Sequence, residues 1–262
     1  MTAEVFAKLA PYGYVHHRAL NNFAALEEAE NNVSAYPNMH QVLEGDICWD
    51  FSAGRAEFYF RHPSFIVDTL SLQRIDMLKE QRALVTLDDV LARDTARKTY
   101  VIELKVGRGE TRAALNTLVG RLQEACRGRF WIDGFSLPLV RLVKQIDAGV
   151  ATSLHTEFVT ARHIVRDAPE WPPLAIDKLD RLRGVVDAIS IRKRFSDHHM
   201  ARACAAVRER GFTLLMSRLF TIEDYALSRK WGAVVGYPKA PFEAIAAYDR
   251  EHPAPLAKMA HS

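Results

Sequence analysis

Gln41-Val42-Leu43-Glu44-Gly45-Asp46-Ile47 decides how the rest of the chain is read. Its short apolar run marks a buried strand, and side chains two apart on a strand share a face. Glu44 and Asp46 therefore point the same way near the strand's end. Two carboxylates on one apolar face are costly to desolvate and repel each other. A bound cation removes both penalties; solvation at a sheet edge is the plainer alternative. Three further stretches favour the cation: His16-His17-Arg18 before it, Arg61-His62-Pro63 after it, and Ile102-Glu103-Leu104-Lys105 beyond.

Outward from this strand, short apolar or β-branched runs alternate with longer amphipathic ones. Tyr12–Val15 reads as a first strand and Asn21–Glu30 as its helix. Val42–Ile47 is the second strand, with Glu57–Phe60 an extended continuation that ends at Arg61-His62. Thr86, with Asp89 three residues on, has the form of a helix start. Thr99–Leu104, Phe130–Ile132, Val150–Leu154, Val185–Ile191, Phe212–Leu215 and Ala233–Val235 supply strands three to eight. Helices are expected over Arg112–Ala125, Leu137–Ile146, Asp197–Glu209, Ile222–Arg229 and Phe242–Tyr248. Eight strand–helix units without a charge run or Ser/Gly-rich linker predict an α/β fold, a single (β/α)8 TIM barrel spanning residues 1–262 as one domain. Phe51–Arg82, the least regular part, reads as a short cap inserted between strands two and three. A doubly wound sheet would call for a glycine-rich first turn, and the sequence has no GxGxxG or Walker-type loop.

A chain of 262 residues with 48% hydrophobic and 26% charged residues is ordinary for a globular protein, and its formal net charge of +3 points to neither nucleic acid nor a basic membrane surface. Cys48, Cys126 and Cys204 are far apart and odd in number, so reduced thiols in the cytoplasm are the simpler expectation. No signal peptide or bilayer-spanning run is evident, which predicts no stable membrane insertion. Oligomeric state is not encoded in any pattern here.

In a (β/α)8 barrel, functional groups collect at the carboxyl ends of the strands. His17, Glu44, Asp46, Glu103, Lys105 and Arg192-Lys193-Arg194 fall at such ends. Glu44, Asp46 and Glu103 would suit a hard divalent cation, Mg²⁺ or Ca²⁺. Two histidines beside a cation suit phosphodiester chemistry, one attacking or taking a proton and the other protonating the leaving alcohol. Lys105 and an arginine would neutralise phosphoryl oxygens. Duller readings stand beside these. Only one of His16 and His17 can face inward, and His17 is favoured because Arg18 follows it where the strand ends. Glu103 and Lys105 could be a simple ion pair, and Arg192–Arg194 partly a solvated face. His62 before Pro63 could merely end a strand. His155 and Glu157 could line the pocket, whereas His198 and His199 read as surface residues. Trp49, Phe51 and Trp171 read as cap core or as contacts for an acyl chain or sugar.

His17-Arg18-Ala19, Asn21-Asn22-Phe23-Ala24-Ala25, Glu44-Gly45-Asp46, His62-Pro63, Val85–Leu91, Ile102-Glu103-Leu104-Lys105 and Gly232–Pro238 together resemble the glycerophosphodiester phosphodiesterase superfamily. The resemblance covers nearly the whole chain in the right order. It implies a barrel enzyme, a phosphoric diester hydrolase of lipid or related metabolism acting on a small-molecule phosphodiester. It implies catalytic roles for His17 and His62, a divalent metal on Glu44, Asp46 and Glu103, and phosphate contacts from Arg18 and Lys105. Arg192 and Arg218 are added as candidate phosphate or polyhydroxy contacts. The chain departs from the family at several points: H-R-G reads His17-Arg18-Ala19, E-N-T reads Leu20-Asn21-Asn22, H-D reads His62-Pro63, and a W-T-V-N motif reads Leu214-Leu215-Met216-Ser217. The run from His62 to Glu103 is short, as in the phospholipase D toxins of the same superfamily, which release cyclic phosphates. Three outcomes therefore stay open: hydrolysis of a glycerol or sugar phosphodiester, transphosphorylation to a cyclic phosphate, and a silent barrel that only binds a phosphorylated ligand.

Overall fold

The computed structural model describes residues 4–9, 12–63, 69–158, 173–174, 176–193 and 197–253. Phe65, Ile66, Trp171 and Arg194 lie outside them, as do the side chains of Glu157 and Phe158. The chain forms two compact units, one comprising residues 16–37 and 41–154, the other residues 1–15, 38–40 and 155–262.

In the first unit, α2 (Phe23–Ala35) leads to β2 (His40–Ser52), which turns back as β3 (Arg55–Phe60); α1 (Glu4–Lys8) and β1 (Gly13–His16) precede them in the chain. After α3 (Leu72–Glu80) and α4 (Leu87–Ala92) come β4 (Thr99–Gly109), α5 (Thr111–Cys126), β5 (Phe130–Gly134) and α6 (Leu137–Ile146). β2, β4 and β5 are parallel neighbours in register, with Glu44 opposite Val101, Asp46 opposite Glu103 and Glu103 opposite Asp133. Leu43, Ile47, Ile102, Leu104, Ile132, Leu115 and Leu118 are buried in a core shared by these strands and the helices beside them. Helix starts follow local chemistry. Asn22 caps α2 by accepting from the Ala25 amide, and Thr86 with Asp89 closes a reciprocal capping box on α4.

β2 runs five residues past its expected end because Glu57–Phe60 is a returning antiparallel strand. Ala53 and Gly54 turn the chain with φ of 50° and 73°, the left-handed geometry of a two-residue hairpin. The lengthened β2 in turn extends β4, through pairs Trp49–Gly107 and Phe51–Gly109. Gly107 is required there, since a Cβ would sit 1.9 Å from the Trp49 ring. Hairpin and α3 enclose their own small core of Cys48, Tyr59, Leu70, Ile75 and Leu84, which is the cap between the second and third barrel strands. Trp49 belongs to the main core, with Phe51 packed against it.

The second unit holds β6 (Ser153–Phe158, which begins two residues before it), β7 (Pro173–Leu174), a 3-10 turn (Ile176–Leu182), β8 (Ala188–Arg192), α7 (Asp197–Glu209), β9 (Thr213–Leu219), α8 (Ile222–Lys230), β10 (Val235–Pro238) and α9 (Phe242–Glu251). Its parallel order is β1-β10-β9-β8. Two strands, β6 and β8, begin three residues later than their composition suggests, at Ser153 and Ala188. Val150 bonds back to Asp147, and Val185 and Val186 bond back to Leu182, so these apolar residues close turns before the strands start. Counting β1, β2, β4, β5, β6, β8, β9 and β10, eight barrel strands separated by helices give the (β/α)8 fold class.

Candidate functional site

The first unit brings Glu44, Asp46, Glu103 and Lys105 together midway along β2 and β4, just before the stretch where β2 pairs with the returning β3. Alternation along β2 turns Glu44 and Asp46 to one face, and the parallel register sets Glu103 beside Asp46. All three are buried, at 0%, 1% and 5% exposure. One carboxylate oxygen from each lies within 4.8 Å of the other two. Gly45 between them makes the close approach of neighbours possible. A Cβ there would meet Leu20 Cβ and Phe60 Cδ1 at 2.6 Å, so the strand's other face is closed by those two side chains.

Two segments are tied to this part of β2 by backbone bonds. Residues 17–20 form a turn directly after β1, with Leu20 N donating to Glu44 O at 3.0 Å. Arg61 N donates to Asp46 O at 2.8 Å, which sets His62 next in chain to a residue bonded to the same strand. His17 and His62 are both exposed. His16, by contrast, is half-buried and its Nε2 pairs with Gln41 Oε1 at 2.8 Å. Burial pushes its pKa down against the pull of that bond. Arg18 adopts a left-handed φ of 61°, uncommon for a residue with a Cβ. That backbone aims its amide N–H at Glu44 Oε2 while its guanidinium Nε stands 3.4 Å from Asp46 Oδ2. Lys105 bridges Glu103 and Asp46, at 2.9 Å from Asp46 Oδ1, and lies 5.1 Å from the centre of the Phe135 ring.

The electrostatics are unbalanced at Glu44. Burial, then the charges of Asp46 and Glu103, push its pKa well above the ordinary carboxylate value. Burial also works to raise Asp46, but the Lys105 ammonium, the Asn21 amide and His62 together hold it low. Burial works against the Lys105 charge, and the carboxylates of Glu103 and Asp46 outweigh it and raise its pKa. Glu44 Oε1 is buried with no hydrogen-bond donor among the described residues. A buried, unsatisfied oxygen on one of three clustered carboxylates is what a hard cation would satisfy, and ligand distances of about 2.0–2.6 Å are compatible with this spacing. The donor set therefore fits a divalent ion.

Asp133 was not anticipated, although it ends the apolar run Phe130-Trp131-Ile132 just as Glu103 ends its own strand's. It continues the row from Asp46 through Glu103, and its Oδ1 accepts from Ser153 Oγ at 2.7 Å and Gly134 N at 2.9 Å. In the other unit, Arg192 is buried at the end of β8 and Arg218 is half-buried in β9 with φ of 59°. Lys193 pairs with Asp224. His155 is buried edge-on to Tyr237, with ring centres 5.7 Å apart, and His198 and His199 are exposed on α7.

A (β/α)8 chain with a buried carboxylate triad on two adjacent strands is thus defined by fold and by site. Among solved structures, it is similar to a phosphodiesterase from Oleispira antarctica held with the product sn-glycerol-3-phosphate, at 13% identity, 93% of this chain, 99% of that one and a TM-score of 0.63. It is similar to a glycerophosphodiester phosphodiesterase from Parabacteroides distasonis at 14% identity, covering 92% and 98%, TM-score 0.62. A third, from Thermotoga maritima, matches at 14% identity over 86% and 93%, TM-score 0.58. The chain therefore has the fold of the glycerophosphodiester phosphodiesterases. No protein-family model matches the sequence, and the search of curated proteins gave no match.

Proposed function

We propose that the chain is a divalent-cation-dependent phosphodiesterase acting on a small phosphodiester, glycerol- or sugar-linked, in the cytoplasm. The observation that carries this reading is the set of three buried carboxylates, one with an orphaned oxygen, beside two histidine-bearing segments anchored to the same strand. Glu44, Asp46 and Glu103 would hold Mg²⁺ or Ca²⁺. When bound, the ion polarises a phosphoryl oxygen and offsets the diester's charge. Arg18 and Lys105 bring positive charge to the same oxygens, and Lys105 can reach them by exchanging one of its two carboxylate partners. His17 and His62 act as the acid–base or nucleophile pair, one serving the leaving alcohol. Arg192 and Arg218 are assigned, on sequence grounds, as further cationic contacts to the substrate. Among the described residues no helix is long and apolar enough to cross a membrane.

The test is a panel of glycerophosphodiesters, lysophospholipids, sugar phosphodiesters and bis-p-nitrophenyl phosphate, with and without chelator, read by phosphorus NMR. Cleavage of at least one diester, dependent on the cation and lost in His17→Ala, supports the reading. An open monoester marks hydrolysis and a cyclic ester marks transphosphorylation. Ligand binding without turnover of any member overturns the enzyme.

A further inference from the structure

Asn21 holds Asp46 at two points. Its side-chain N–H donates to Asp46 Oδ2 at 2.6 Å, and its side-chain carbonyl accepts the Asp46 backbone N–H at 2.9 Å. One side chain therefore holds both the main chain and the carboxylate of a single residue, fixing the direction of the second relative to the first. The Asn21 backbone N–H also donates to Arg18 O at 3.1 Å, closing the turn that carries His17 and Arg18. One neutral side chain thus joins that turn to the strand bearing two of the three carboxylates. Arg18 and Lys105 also approach Asp46, at 3.4 and 2.9 Å, but as charges that a substrate would draw away. Asn21 carries no charge, so it orients the carboxylate without competing for the cation.

We infer that Asn21 is a positioning residue for the cation site. It fixes the direction of the Asp46 carboxylate and, through the same side chain, the seating of the His17–Arg18 turn. This rests on the cation-dependent reading given above. Hydrogen-bond partners behind metal ligands typically govern metal affinity by about 10–100-fold when removed.

The adjacent Asn22 supplies the control, because it caps α2 from an exposed position and touches none of the carboxylates. Asn21→Ala and Asn22→Ala in the full chain are compared by melting temperature and by Mg²⁺ titration calorimetry without substrate. Exchange of the Asp46 amide is followed under chelator by NMR. Both variants are expected to melt lower. Only Asn21→Ala should bind Mg²⁺ about 10–100-fold more weakly and exchange its Asp46 amide faster. Mg²⁺ affinity in Asn21→Ala no weaker than in Asn22→Ala overturns the inference. Should Asn21→Ala not fold, Asn21→Asp keeps the volume and the acceptor for the Asp46 amide but loses the donor to Oδ2. Its turnover at saturating Mg²⁺ should fall at least about tenfold, and a wild-type rate overturns the assignment. If the wild-type chain binds neither Mg²⁺ nor Ca²⁺, the cation reading fails, and this inference fails with it. A positive wild-type titration with no difference at Asn21→Ala sinks the positioning role alone.

Discussion

Glu44→Gln removes one charge from the buried triad at almost constant volume, and the carboxamide oxygen can still accept the Arg18 amide. At the outer separation of 4.8 Å, two unit charges repel by about 3.5 kcal/mol at an effective dielectric of about 20. Glu44 faces two such neighbours, with Lys105 offsetting part of the cost. Relief on the order of 1–3 kcal/mol in the metal-free protein is the consistent expectation. For 262 residues at about 2.1 cal/mol/K each, the unfolding entropy is about 0.55 kcal/mol/K, so each kcal/mol moves Tm by about 2 °C. With chelator at pH 7, Glu44→Gln should therefore melt about 2–6 °C higher than wild type. Mg²⁺ at a hundred times its Kd stabilises wild type by about 2.7 kcal/mol, or about 5 °C. The variant should lose most of that rise. Differential scanning calorimetry of four samples, two proteins with and without Mg²⁺, reads both signs at once. A variant that melts lower under chelator, yet keeps the full Mg²⁺-induced rise, would refute the charge-repulsion argument.

Gly45→Ala drives a Cβ to 2.6 Å from Leu20 and Phe60, and overpacking of this kind costs about 1–3 kcal/mol, measurable by urea unfolding, with turnover reduced because the His17–Arg18 turn is displaced. For pH, the folded pKa of Glu44 lies above its ordinary value of 4.5, so under chelator its contribution is full below that pH and is lost as pH rises through the folded value. Melting curves across this range should show that decline in wild type and a smaller one in Glu44→Gln. Thr86→Ala breaks the capping box of α4 and should cost about 1 kcal/mol while leaving kcat unchanged.

What could be read from the sequence was what periodicity and strand-end chemistry encode. The alternation of Glu44 and Asp46 gave their shared face, and the I-E-x-K strand placed Glu103 and Lys105 in the same row. The boundaries of α6 and α7 were legible because their amphipathic runs are long. Strand ends were less so, since they depend on partners. β2 and β4 run on because a hairpin returns on β2, and β6 and β8 begin late because their first valines close turns. Asp133 was hidden because a single aspartate after three apolar residues has no local companion; only the register with Glu103 reveals it. Asn21 stood out only as part of a family-like stretch; its bonds to Asp46 were not legible, because a hydrogen bond across 25 positions leaves no periodic trace. The bond from the Arg18 amide to Glu44 comes with a left-handed backbone, and no residue pattern announces that at a non-glycine position.

Anomalous diffraction from a crystal soaked in Mn²⁺ tests the central claim most directly. One strong peak per chain is expected, about 2.0–2.3 Å from carboxylate oxygens of Glu44, Asp46 and Glu103. A crystal of cation-stimulated enzyme whose peak lies elsewhere, or whose triad stays without density, would contradict it.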